Sequence, residues 1–88
     1  MNFRVGDLVV LRSEDEIVWD DSFLEWDHTL LFSSREDARD MRGWIGGIAP
    51  GTLGTILEVD PNFVRVHTPS GTGWNRKHYW RIVDVPTT

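Results

Sequence analysis

Two groups of side chains in this sequence have the types and spacing for recognition chemistry, and they carry opposite charge. Between Ser13 and Asp27 stand seven acids (Glu14, Asp15, Glu16, Asp20, Asp21, Glu25 and Asp27) and no Lys or Arg, with Ile17, Val18, Trp19, Phe23, Leu24 and Trp26 threaded among them. Apolar groups ringed by charge resemble an interface patch. Clustered acids also raise the rate of encounter with a basic surface. Trp19, Asp20, Asp21, Phe23, Glu25 and Trp26 are therefore the candidate partner-binding residues, and the partner they suit is a protein.

The basic group lies in the last third of the chain. Arg65, Arg76, Lys77 and Arg81 stand there with His67 and His78, close in sequence to Phe63 and Tyr79, aromatic rings of the kind on which single-stranded nucleic acid stacks. Arg65, His67, Arg76, Lys77, Tyr79 and Arg81 make up the alternative, a nucleic-acid-binding face. A competing use of the same cations is to pair with the acidic segment folded across them, each exposed pair contributing about 0–1 kcal/mol. In a third reading the acids themselves mimic a phosphate backbone and occupy the site of a nucleic-acid enzyme.

Other chemistries find little purchase. A calcium loop of the EF-hand type needs a central glycine, and the run from Glu14 to Asp27 has none. The histidines at 28, 67 and 78 lack close metal-ligand spacing, so neither metal nor cofactor is expected. No nucleophile elbow, zinc-protease motif or phosphate-binding glycine loop is present, and the expectation is a protein that is not an enzyme.

These groups must be positioned by a single small core. The chain has 88 residues, a net charge of −5 and no cysteine, which excludes disulfides, zinc–cysteine sites and thiol nucleophiles and suits a reducing, cytoplasmic setting. No apolar run approaches the roughly 20 residues that span a bilayer. Charge is segregated: residues 1–42 hold eleven acids against five bases, and residues 43–88 hold three against four. A negative overall field disfavours unassisted binding to phosphate backbones.

Strand-like runs occupy Val5–Arg12, Thr52–Val59, Phe63–Thr68, a short piece from Trp74, and Trp80–Val83, with Asp60-Pro61-Asn62 as a tight turn and Pro69–Gly73 as a loop. Residues 75–78 read as a turn or a single 3-10 turn. Between the first two strands, Ser34 with Asp37 three residues on resembles a capping box and Gly43 a stop signal, predicting a helix of about two turns with Ala38 and Met41 on its docking face. Trp44 to Gly51 reads as a glycine-rich connector. Trp44, Trp74 and Trp80 are assigned to anchoring the body, Trp19 and Trp26 to the exposed loop.

The pattern Gly6-Asp7-x-Val9-x-Leu11, then Gly51-x-x-Gly54-x-Ile56-x-x-Val59 and Val64-x-Val66, is similar to SH3-like small β-barrels, including KOW modules, Mind-bomb-type domains and the SH3-like accessory protein of photosystem I. The resemblance covers residues 3–12 and 51–83. It implies one mainly β domain over residues 1–88, a five-stranded partly open barrel, with residues 13–50 an acidic insertion carrying one short helix. The Ala-Leu-Tyr-Asp-Tyr run of polyproline-binding SH3 domains and the CAP-Gly signature are both missing, so neither ligand class is carried over. Together these features describe a small acidic interaction module of the regulator or inhibitor kind.

Overall fold

A computed structural model describes residues 2–17 and 27–83. It is mainly β, with strands β1 (Leu8–Leu11), β2 (Leu30–Phe32), β3 (Trp44–Gly47), β4 (Leu53–Val59), β5 (Phe63–Thr68), β6 (Gly71–Arg76) and β7 (Trp80–Ile82). One short helix, α1 (Arg35–Asp40), and two 3-10 turns (Glu14–Glu16 and Lys77–Tyr79) complete it. No helix among the described residues is long and apolar enough to cross a membrane.

The strands form one antiparallel sheet in the order β3-β2-β6-β5-β4-β1-β7. The meander expected from the last third is present as β4, β5 and β6. β1 then pairs with β4 through Val9 opposite Gly54, and with β7 through Leu11 opposite Trp80. Alternation explains which side chains turn inward. Gly54 and Ile56 of β4, Val64, Val66 and Thr68 of β5, and Gly73 and Asn75 of β6 are buried at every second position. The main core joins Val9, Leu11, Ile56, Val64, Val66, Tyr79 and Trp80 to Phe3, Ile17, Leu31 and Ile48.

Three of those core residues, Ile17, Leu31 and Ile48, come from the segment expected to be a mere insertion. That segment also supplies two strands, and the sheet therefore has seven strands where five were expected. Trp44 to Gly47 is not a connector: its glycines pair with Leu30 and Leu31 of β2, and Gly46 and Gly47 tolerate extended backbone as readily as a turn. Nor is Pro69–Gly73 all loop. Gly71 opens β6 at φ +139°, and Gly73 lies inside the strand where β2 crosses so closely that a side chain has no room.

The helix forms where its signals place it, with the Ser34 hydroxyl accepting from the Asp37 backbone N–H at 3.1 Å. It stops earlier than Gly43. Met41 takes the left-handed conformation at φ 55° and caps the helix, so it leaves the docking face and only Ala38 is fully buried. Gly43, at φ +71°, then turns the chain into β3, and a Cβ there would lie 2.9 Å from an Asp37 carboxylate oxygen. Ala38 joins Phe32 and Phe63, flanked by Leu30 and Trp74, in a second apolar cluster on the opposite face of β2, β6 and β5 from the main core.

Candidate functional site

The expected partner-binding residues Trp19, Asp20, Asp21, Phe23, Glu25 and Trp26 lie outside the described residues. Their two flanks are firmly held, since Ile17 belongs to the main core and Asp27 has no exposed surface. The hydroxyl of Tyr79 donates to one Asp27 carboxylate oxygen at 2.6 Å, and Arg76 Nε donates to the other at 3.2 Å. Burying a carboxylate requires this kind of partnering, because an unpaired charge loses its hydration without replacement. Around it, Asn75 donates its amide to the His28 carbonyl at 3.1 Å, and His28 Nε2 lies 2.7 Å from the Arg12 carbonyl. One polar network thus ties the end of the acidic segment to β6, the following 3-10 turn and Arg12 just after β1.

The residues of the alternative nucleic-acid face are largely consumed by such contacts. Arg65 and His67 do share the outward face of β5, as the alternation requires, but Arg65 lies 3.6 Å from Glu58 and His67 Nδ1 lies 2.7 Å from the Thr72 hydroxyl. Arg76 is held by Asp27, with its guanidinium 5.4 Å above the Phe63 ring. Arg81 Nε lies 3.1 Å from Glu16. Tyr79 cannot serve as a stacking platform: it is fully buried, and its polar end is committed to Asp27. Phe63 is buried too, beneath α1. Lys77 has no carboxylate within 4 Å among the described residues.

Glu16 shows what the surface pairs do. Its carboxylate accepts from the Ser13 backbone N–H at 3.3 Å and from Arg81 Nε at 3.1 Å, and these bonds hold its pKa below the ordinary 4.5. A carboxyl with a depressed folded-state pKa stabilises the fold above its unfolded value and loses that contribution as pH falls through the folded value. The expected result in a carbon-detected NMR titration is a Glu16 midpoint below 4.5 that rises in Arg81→Gln. A midpoint indifferent to the substitution would show that Arg81 contributes nothing.

An exposed apolar surface lies at one edge of the sheet, where the sequence suggests only a connector. Among the described residues β3 is one of the two edge strands of the sheet and is hydrogen-bonded to β2. A register shift at Leu31/Phe32 leaves Ile45 without a residue opposite it, and Trp44 faces Phe32. Phe32 in turn faces Trp74, so Trp44, Phe32 and Trp74 form a lateral row across three strands. α1 covers the middle of that row. At its outer end Trp44 and Ile45 are 55% and 61% exposed. The available signal was the Trp-Ile pair next to two glycines, which fits an edge strand as well as it fits a loop.

No protein-family model, curated protein or solved structure matches this chain.

Proposed function

We propose that this chain is a non-catalytic SH3-like interaction module, a small cytoplasmic regulator or inhibitor, that docks a basic protein partner on the β3 edge and on the acidic segment carrying Trp19 and Trp26. The single observation that carries the reading is the exposure of Ile45 on β3, an edge strand among the described residues. An exposed apolar side chain on an edge strand gives another protein an apolar surface on which to dock. Protein charge supports the choice of partner, since a net charge of −5 attracts a basic surface and repels phosphate backbones. The SH3-like assignment draws support from the order β6-β5-β4-β1-β7 with a 3-10 turn ahead of the closing strand. Nucleic-acid binding ranks second because Arg65, Arg76 and Arg81 already face carboxylates.

Two sets of variants test this. Ile45→Lys places a charge on the exposed edge, and Trp19→Ala with Trp26→Ala strips the acidic segment of its large rings; circular dichroism should be unchanged in both. A partner identified with the wild-type protein is expected to bind each variant at least about tenfold more weakly, the usual scale for losing a buried interface anchor. Unaltered affinity in both variants would sink the proposal, and loss in only one would assign the contact to that element.

A further inference from the structure

On the side of the molecule formed by the N-terminal segment, the β4–β5 turn and the 3-10 turn before β7, Phe3, Arg12, Pro61, Lys77 and His78 line a cavity of about 270 Å³. Its charge is out of keeping with the rest of the protein. Arg35, Arg39, Arg42, Arg65, Arg76 and Arg81 each face a carboxylate within 4 Å, whereas the exposed Arg4 and the half-buried Arg12 and Lys77 face none among the described residues. A partly buried cation without a counter-charge is unfavourable unless something else supplies the negative charge.

The walls are held in place by backbone bonds that do not depend on a ligand. Lys77 N donates to the Asn62 carbonyl at 3.0 Å, which fixes the 3-10 turn against the turn containing Pro61. Arg12 N donates to the Tyr79 carbonyl at 2.8 Å, and its Nη1 donates to the His78 carbonyl at 3.2 Å. That bond orients the guanidinium while using few of its five donors, and its buried Nε has no acceptor among the described residues. The result is a guanidinium fork and an ammonium held on a preformed frame beside Phe3 and Pro61.

We propose that this cavity binds the phosphate group of a small phosphomonoester. A phosphate dianion matches two cations in charge and offers several acceptor oxygens, so the Arg12 fork and the Lys77 point charge can engage it together. Size sets the class of ligand: sites for drug-sized molecules span about 300–1,000 Å³, so a cavity below that range takes at most a mononucleotide, a phosphate carrying one base ring on its sugar. Phe3 and Pro61 give such a ring an apolar wall. The proposal is independent of protein docking at β3, whose residues line none of this cavity.

The test is an amide NMR titration of the whole chain with inorganic phosphate, uridine 5′-monophosphate, uridine and acetate in separate arms. Saturable shifts at Phe3, Arg12, Lys77 and His78 are expected with the two phosphates and not with uridine or acetate. Tighter binding of the nucleotide than of phosphate would assign the ring a place on Phe3 and Pro61; equal binding would assign the site to the phosphate alone. Lys77→Gln, which breaks no described ion pair, is expected to weaken phosphate binding about tenfold, the scale of one charge-assisted hydrogen bond. Arg39→Gln, on the surface of α1, should leave it unchanged. Equal binding by wild type and Lys77→Gln, equal shifts with acetate, or no saturable shift in either phosphate arm would overturn the proposal.

Discussion

Replacing Asp27 by alanine is expected to destabilise the protein by about 3–5 kcal/mol, the range for removing one partner of a buried charge pair. At about 4–8 °C per kcal/mol for a domain of this size, the melting temperature falls by more than about 12 °C. The physical loss has two parts. Arg76, whose side chain is only 19% exposed, loses the carboxylate beside it, and the fully buried Tyr79 hydroxyl loses the acceptor that Asp27 supplies. Tyr79→Phe alone should cost less, about 1.5–3 kcal/mol for a hydrogen bond to a charged group. The double variant should cost less than the sum, since each change removes part of the same bond. Chemical denaturation of the four proteins checks this, and an Asp27→Ala variant within about 1 kcal/mol of wild type would mean that water replaces the network.

Gly73→Ala should produce the second large effect, about 2–3 kcal/mol, at the upper end of what overpacking costs. The added Cβ would lie 2.9 Å from Leu31 Cβ, 2.9 Å from the Phe32 carbonyl oxygen and 3.3 Å from the Phe32 backbone nitrogen. Backbone atoms cannot swing aside as a flexible side chain does, so β2 has to move away from β6. That seam is slender, with Phe32 opposite Trp74 as its one registered pair. β2 and β3 are therefore the elements that give way, and hydrogen exchange should accelerate at Leu31 and in β3 while β4 and β5 stay protected. Gly46→Ala is the control, because a Cβ there meets nothing within 4 Å. Uniform acceleration across the sheet would show that the seam is not a separable unit.

The two variants mark where the chain was readable and where it was not. Strand β5 was legible to the residue because Val64 and Val66 alternate with Arg65 and His67 between two turns, and period-2 burial is a local property. α1 was legible at its start, where the Ser34 hydroxyl and the Asp37 N–H are three residues apart, and misjudged at its end, where Met41 accepts a left-handed conformation usually left to glycine. β3 was hidden. Trp-Ile followed by two glycines fits an edge strand and a loop equally well, and pairing with β2 decides for the strand.

The candidate sites divide in the same way. The seven acids and the basic group were visible as composition, and so was the chance that they meet. Which acid meets which base was not visible: the bonds from Arg76 and Tyr79 to Asp27 span 49 and 52 residues, and the pair of Arg81 with Glu16 spans 65. Tyr79 illustrates the consequence, since a ring that sequence neighbours recommend for stacking is spent inside the core on a distant carboxylate.

By itself, then, the sequence determined a cysteine-free, mainly β domain with its charge divided along the chain, the meander of the last third, and the start of its one helix, all written in spacings of two to four residues. Tertiary structure alone decided that the acidic middle segment adds two strands and three core residues, that Trp44 and Ile45 belong to an edge strand, and that Arg12 and Lys77 share a cavity. Each of these depends on contacts between residues a dozen or more positions apart, and no local pattern encodes which distant partner closes them.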